Sequence, residues 1–132
     1  KVISSPSCRS RQTALSAFGK IDEINNVFMH YGPFNETIDE HAKLIRKELK
    51  KITIPKNENI IISSHGNTIR ESVFDEIRLA NYTPNQNEDS YRLDLDEGGF
   101  VVISKEGEKL ILEHLFFNYN DFVKALSYRP KN

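Results

Sequence analysis

The segment Ile60-Ile61-Ile62-Ser63 limits the possible folds more than any other part of the chain. A continuous run of β-branched residues is typical of a parallel strand that is covered on both faces, so we expect a central strand here. The turn Ser64-His65-Gly66 follows and leads into a helical pattern. The apolar positions of that helix are Ile69, Val73, Ile77 and Ala80. A strand, a turn and a helix in this order predict an α/β fold.

The same order of elements occurs at the beginning of the sequence. Residues 1–5 fit a strand, and residues 10–18 fit a short helix that ends at Gly19, because glycine is the usual residue after the last helical turn. The apolar side of this helix would consist of Ala14, Leu15 and Phe18. Residues 21–35 show only a weak pattern. The order of strand, turn and helix therefore occurs twice in the chain.

The remaining elements complete a layered arrangement. Thr37 and Glu40 fit a capping box at the start of a helix. The apolar positions of that helix are Ile38, Ala42, Ile45 and Leu49. Strands at 100–103 and 110–112 would be joined as a hairpin through residues 105–108, and a last helix is predicted at 121–126. Together these elements predict an α/β domain with a mainly parallel sheet sandwiched by helices.

Composition restricts the chain to a few classes of protein. With 132 residues and 38% hydrophobic residues, we expect one domain over residues 1–132. The 18 Lys and Arg residues are balanced by 19 Asp and Glu residues, so no general field favours nucleic acid or an anionic membrane. No apolar run is long enough for a membrane span. The single Cys8 has no partner for an internal disulfide, and the scattered histidines give no metal cluster.

The first residues suggest that the protein extends further. Lys1 to Ser5 already fit a strand, with no preceding cap, loop or targeting segment. We therefore expect an N-terminally truncated domain that depends on a preceding segment of the same protein. The compartment of the protein is unknown at this stage.

The two unusual turns lie where an α/β sheet binds ligands, beyond the carboxyl ends of its strands. Arg9 and Arg11 come at the start of the first helix, where a guanidinium and free backbone N–H groups can bind an anion together. His65 follows the second strand, and Gly66 lets the backbone approach a ligand closely. Arg11 could equally be an ordinary solvated arginine. The pattern predicts an anion pocket formed by both turns.

The motif Ser-Pro-x-x-Arg-x-x-Gln-Thr-Ala at residues 5–14, followed by Ser-His-Gly at 64–66, resembles the histidine phosphatase superfamily, also called phosphoglycerate mutase-like. The likeness covers roughly residues 1 to 115 by order of elements. It implies a phosphoglycerate mutase-like α/β sandwich and a reaction through a phosphohistidine. By the resemblance, Arg9 binds the phosphate and His65 is the family's second histidine, which contacts the phosphoryl oxygens.

The resemblance does not assign a residue of this sequence to every role in the family's site. The family's nucleophilic histidine belongs to an Arg-His-Gly segment, which does not occur in this sequence, so we expect it upstream of Lys1 together with the first strand. Gly66 and Asn67 are further candidates for phosphate contact, although Asn67 and Thr68 could equally cap the helix. Cys8 is not expected to act as a nucleophile, because cysteine phosphatases need the spacing Cys-x5-Arg.

The leaving group of a phosphatase also needs a general acid. Glu36 is the first candidate, since the family often takes this residue from the segment between the two motifs, and Glu97 is the second. Either could be a solvated carboxylate. Asp39 and Glu40 are explained by the helix start.

The leading hypothesis is a phosphatase that hydrolyses a phosphorylated small molecule or a phosphoprotein without a cofactor. A phosphoglycerate mutase-type phosphotransferase is the alternative within the family, but the mutases have longer insertions than residues 21–59 allow. A noncatalytic phosphate-binding regulatory module is the alternative from another class. The residue at the nucleophile position of the preceding segment would distinguish these alternatives.

Overall fold

The structure is a computed structural model that describes residues 1–29, 37–69 and 95–127. It divides into two compact units, Lys1–Glu76 and Ile77–Asn132. The fold is mixed α/β, as the sequence predicts, and each unit is described by itself. The prediction of a single domain over residues 1–132 stays a prediction.

A three-stranded parallel sheet forms the centre of the first unit. Its strands are β1 (Val2–Ser4), β2 (Glu23–Ile24) and β3 (Ile61–Ser63), in the order β2-β1-β3. The first strand, β1, pairs in parallel with the β-branched run, β3. Among the described strands β1 takes the middle place and β3 an edge, so the central position predicted for that run stays a prediction. Burial agrees, since every residue of β1 is buried and those of β3 are half-buried.

Helix α1 (Cys8–Phe18) packs on one face of this sheet. It begins two residues earlier than predicted, because the Ser7 hydroxyl caps it by accepting the Ser10 N–H at 3.3 Å. It ends as predicted at Gly19, whose left-handed backbone (φ +70°) directs its N–H to the carbonyl of Leu15. The predicted apolar side is wrong in part, because Leu15 and Phe18 are 50% and 47% exposed. Ser10 and Ala14, one turn apart, occupy the buried face instead.

Helix α2 (Ile38–Lys51) forms the core together with β1. The buried core residues are Ile3, Phe28 and Ile45. The predicted capping box is confirmed: the Glu40 N–H donates to the Thr37 hydroxyl at 3.2 Å, and the Thr37 N–H donates to the Glu40 carboxylate at 2.8 Å. This carboxylate has its pKa lowered, because the Thr37 backbone N–H stabilises the charged form.

The segment between these helices contains elements that the sequence did not predict. After β2, a 3-10 helix spans Asn26–Phe28 and is capped by the Asn25 side chain, which accepts the Val27 N–H at 3.0 Å. The same side chain donates to the Glu48 carboxylate of α2 at 3.0 Å. The segment thus ties the edge of the sheet to α2 and carries Phe28 into the core.

After β3, a short helix α3 begins at Gly66 and is described as far as Ile69. The predicted continuation through Val73, Ile77 and Ala80 lies outside the described residues.

The second unit contains a separate antiparallel sheet. Strands β4 (Phe100–Glu106) and β5 (Lys109–Phe116) form the predicted hairpin, and the turn contains Gly107 with φ +61°. The predicted last helix is also confirmed as α4 (Tyr119–Ser127). Three aromatic rings pack together between the hairpin and α4, with centroids 4.8 to 5.5 Å apart. They belong to Phe100, Phe116 and Phe122.

Candidate functional site

The carboxyl ends of β1 and β3 lie next to each other, as expected for the two unusual turns. Ser4 is paired with Ser63 in the sheet, and the pairing continues one step further because the Ser5 N–H donates to the Ser63 carbonyl at 2.9 Å. The chain then turns into α1 on one side and into α3 on the other. Residues 5–11 and 64–66 therefore form one edge of the sheet.

His65 is the point at which the two turns touch. Its Nε2 atom lies 2.9 Å from the hydroxyl oxygen of Ser5 and 3.5 Å from that of Ser10. The side chains of Ser5 and Ser10 are almost inaccessible, with 0% and 3% of the residue exposed, while His65 is half-buried. His65 is thus held against the first turn by buried hydroxyl groups.

Further serine side chains brace this edge. The Ser10 hydroxyl donates to the Ser64 carbonyl at 3.3 Å, and the Ser63 hydroxyl donates to the Ser10 carbonyl at 2.9 Å. The Ser64 hydroxyl donates to the carbonyl of Phe28 at 2.7 Å. Both turns are therefore bonded to α1 and to the 3-10 helix through side chains as well as through the sheet.

Sequence reasoning did not identify these serines as part of the site. A signal was available, because the two turns hold an unusual number of serines. They are Ser4, Ser5, Ser7, Ser10, Ser63 and Ser64. A concentration of short hydroxyl side chains at two adjacent strand ends predicts a hydrogen-bonded network, since such residues bond readily to nearby backbone groups.

Arg9 lies in the first turn of α1 and is exposed. That turn contains no acidic residue, and Arg9 forms no ion pair with any residue that the structure describes. Its charge is therefore not neutralised by a described carboxylate. The convergence of the Arg9 and His65 side chains on one anion stays a prediction.

Arg11 is half-buried and its guanidinium donates to the sulfur of the exposed Cys8 at 3.5 Å. The buried Nε atom of Arg11 has no hydrogen-bond partner among the described residues. Arg11 is thus less solvated than an ordinary surface arginine. Its side chain lies along α1 towards the preceding turn.

The residues after His65 have separate positions. Gly66 is exposed and begins α3, where the Ile69 N–H donates to the His65 carbonyl at 2.9 Å. Thr68 is buried, and its hydroxyl donates to the Met29 carbonyl at 3.2 Å, so it braces α3 against the preceding segment. The phosphate contacts predicted for Gly66 and Asn67 stay predictions.

The two candidates for the general acid are not brought to this edge by the described structure. Glu36 and the loop before it lie outside the described residues. Glu97 is exposed in the turn before β4 and belongs to the second unit. The general acid therefore stays a prediction at both positions.

A cleft of about 360 Å³ lies elsewhere, at the amino ends of the strands. Glu23 and Glu48 line it, and each carboxylate forms an ion pair with a lysine that also lines it, Lys1 and Lys51 respectively. Its charges are therefore already paired. Carboxylates at this position would repel a phosphate, so the carboxyl edge is the better candidate for an anion site.

Comparison of the chain with protein-family models, with curated proteins and with solved structures finds no significant match. Among the described residues, no helix combines the length and apolar character needed to cross a bilayer. The same residues contain no group of three or more His, Cys, Asp or Glu side chains that could hold a metal ion. The evidence for a function is thus the chemistry of the carboxyl edge.

Proposed function

We propose that this chain is the larger part of a histidine phosphatase that hydrolyses a phosphorylated small molecule or a phosphoprotein. In this proposal Arg9 and His65 bind the phosphoryl group, and a histidine from a preceding segment of the protein attacks the phosphorus. A phosphohistidine forms as the alcohol leaves, and water then releases inorganic phosphate. A carboxylic acid would protonate the leaving oxygen, and Glu36 is its first candidate from the sequence.

One observation supports the proposal most directly: the contact of 2.9 Å between the Ser5 hydroxyl and His65 Nε2. Ser5 begins the motif that contains Arg9, and His65 is the centre of the other motif. The resemblance to the histidine phosphatases requires that these two motifs form one site. In the described structure they lie together at the carboxyl edge of a parallel sheet, where α/β proteins bind their ligands.

The chemistry of phosphoryl transfer agrees with these residues. Charge is spread over the equatorial oxygens in the transition state, so catalysis depends on positioned positive charge and hydrogen-bond donors. Arg9 offers a bidentate guanidinium whose charge no described carboxylate neutralises. The N-terminus of α1 adds a favourable dipole beside it.

The sheet also leaves a position for the nucleophile within the proposal. No described strand pairs with the outer edge of β3, on the side away from β1. A phosphoglycerate mutase-like sheet could be extended there by a strand that ends in Arg-His-Gly, and its histidine would then lie beside His65. Such a strand would also cover an otherwise open backbone edge.

Binding of inorganic phosphate to the full-length protein tests the anion site. We expect Arg9→Ala and His65→Ala each to weaken binding about tenfold or more, because each removes a charge-assisted hydrogen bond. Lys47→Ala is the matched control, since it removes one exposed positive charge from α2, which contains neither of the two turns. Equal affinity of all four proteins, measured by calorimetry at constant ionic strength, would contradict the proposal.

A noncatalytic phosphate-binding module is the second candidate, because the sequence contains no Arg-His-Gly. Turnover of a phosphate monoester by the full-length protein separates the two. For an enzyme, His65→Ala should keep the fold and lower turnover about 100- to 1000-fold, as the loss of one transition-state donor does. Phosphate binding without turnover would favour the module, whereas transfer to a second hydroxyl of the substrate would favour a mutase.

A further inference from the structure

A chain of hydroxyl groups connects His65 to a backbone carbonyl at the carboxyl edge. The Ser5 oxygen lies 2.9 Å from His65 Nε2 and 3.4 Å from the Ser7 oxygen. The Ser7 oxygen lies 3.2 Å from that of Ser10, which lies 3.3 Å from the Ser64 carbonyl oxygen. We call the hydroxyls of Ser5, Ser7 and Ser10 the serine relay.

The carbonyl at the end of the serine relay sets the direction of its protons. A carbonyl oxygen can only accept, and each hydroxyl has a single proton to donate. If Ser10 donates to the Ser64 carbonyl, Ser7 can donate to Ser10, and Ser5 can donate to Ser7. The Ser5 oxygen then keeps a lone pair for an N–H group of the histidine.

Backbone donors agree with this direction. The Ser7 N–H donates to the Ser5 oxygen at 3.3 Å, and the Ser10 N–H donates to the Ser7 oxygen at 3.3 Å. With the protons arranged as above, each hydroxyl donates once and accepts no more than two hydrogen bonds, which is its full capacity. This arrangement uses every hydroxyl–hydroxyl contact of the relay, whereas donation from Ser5 to the histidine would leave either the Ser5–Ser7 or the Ser7–Ser10 contact without a proton.

We propose that Ser5 is a positioning residue, which holds the ring of His65 with its proton on Nε2 through the serine relay. The inference rests on the proposed function and adds to it the residue that prepares the second histidine for its role. Nε2 donates to Ser5 in both the neutral and the charged ring, so this contact is the same in both forms. The relay therefore accommodates the imidazolium that would stabilise a phosphoryl group.

Burial excludes the other role that a serine beside a histidine could have. A serine nucleophile must reach its substrate, and a histidine then removes its proton. Ser5 is 0% exposed, and its oxygen already contacts His65, Ser7 and the Ser7 backbone N–H. The pair thus orients the ring and does not attack a substrate.

The tautomer of His65 tests the inference directly. In the 132-residue chain labelled with ¹⁵N-histidine, long-range ¹H–¹⁵N spectra at a pH where the ring is neutral distinguish a proton on Nε2 from one on Nδ1. The His65→Ala variant assigns the signal among the four histidines. We expect the Nε2–H form in the unmodified chain and a mixture of tautomers in Ser5→Ala. Ser16→Ala, an exposed serine of α1, is the matched control and should leave the signal unchanged.

Ser7→Ala provides a second test that keeps the buried Ser5. Without the Ser7 oxygen, the Ser5 proton loses its acceptor and should turn to Nε2, which shifts the ring towards the Nδ1–H form. Ser7→Thr restores a hydroxyl and a good helix cap, so it should restore the Nε2–H form. An unchanged tautomer in both Ser5→Ala and Ser7→Ala would overturn the inference.

Affinity for inorganic phosphate separates this inference from the proposed function. We expect Ser5→Ala to weaken phosphate binding about two- to tenfold, the effect of one hydrogen bond. If the full-length protein binds no phosphate, the proposed function fails, and the tautomers still decide whether Ser5 positions the ring. If the full-length protein binds phosphate and Ser5→Ala changes neither tautomer nor affinity, the proposed function stands and the role of Ser5 is refuted.

Discussion

The two ends of the parallel sheet in the first unit differ in whether their charged side chains form ion pairs. At the amino ends, lysines and carboxylates lie in pairs: Lys1 contacts Glu23 at 2.5 Å, and Lys20 contacts Asp22 at 3.0 Å. At the carboxyl ends, neutral hydroxyl groups make the hydrogen bonds, and the positive charge of Arg9 has no described acidic partner. The same sheet therefore has one end whose charges are neutralised and one end that can still attract an anion.

This difference shows how a nearly neutral chain can form a local anion site. The overall charge predicts no general attraction for phosphate, so a site depends on where the charges lie. Serines are suited to the carboxyl edge because they satisfy buried polar groups without adding negative charge. Carboxylates in the same places would brace the turns equally well but would oppose phosphate binding.

We expect the largest loss of stability from a substitution in the core residue whose backbone accepts a hydrogen bond from the carboxyl edge. Phe28 is buried in the core, and its carbonyl accepts the Ser64 hydroxyl. We expect Phe28→Ala to lower the free energy of unfolding by about 3–5 kcal/mol, the usual cost of such a cavity. Phe18→Ala is the matched control, because that ring is 47% exposed, and it should cost less than about 1 kcal/mol. If urea unfolding gave similar losses of free energy for both variants, the buried ring of Phe28 would contribute no more to stability than the exposed ring of Phe18.

Smaller losses of stability are expected when a hydroxyl hydrogen bond or an ion pair is removed. Ser63→Ala removes a part-buried bond to the Ser10 carbonyl and should cost about 1 kcal/mol of unfolding free energy. Lys51→Ala removes an ion pair in which the lysine side chain is 61% exposed, and should cost less than about 0.5 kcal/mol. Added salt should reduce the second effect and leave the first unchanged. A larger loss of unfolding free energy for Lys51→Ala than for Ser63→Ala would show that the ion pair contributes more to stability than the hydroxyl hydrogen bond.

The sequence predicts features that depend on neighbouring residues better than features that depend on distant ones. The capping box of α2 and the glycine that ends α1 are local signals, and both are confirmed. The order of the strands depends on long-range pairing, so no local pattern predicts that β1 takes the middle place among the described strands. Strand β2 has only two residues and gives no alternation to detect.

The same difference between local and long-range features applies to the candidate site. The positions of Arg9 and His65 at the ends of their turns follow from local patterns and from the resemblance of the two motifs. The contact between Ser5 and His65 joins residues 60 positions apart, so no local pattern could predict it. Parallel pairing of β1 and β3 supplies that contact, because it brings the carboxyl ends of both strands to one edge.

Acid should weaken the amino end of the sheet through its carboxylates, and Asp22 gives the smallest of the expected effects. Its carboxylate accepts the Val2 N–H at 2.7 Å, and this backbone bond is the largest cause that lowers its pKa, followed by the hydrogen bond from Lys20. Because the pKa is lower in the folded chain than its ordinary value of 3.8, the charged form contributes stability above that value. The contribution is lost as the pH falls from there through the folded pKa.

Asp22→Asn keeps an oxygen that can accept the Val2 N–H but removes the charge. We expect the variant to be slightly less stable than the unmodified chain near neutral pH, and the difference in unfolding free energy to shrink as the pH falls below about 3.8, its ordinary value. Ser63→Ala should show a difference that does not change over the same range, because hydroxyl groups do not titrate there. Urea unfolding of the three proteins at a series of pH values measures both trends. An Asp22→Asn difference that persists unchanged into acid would mean that the carboxylate charge does not stabilise the amino end, and that the two ends differ in hydrogen bonding alone.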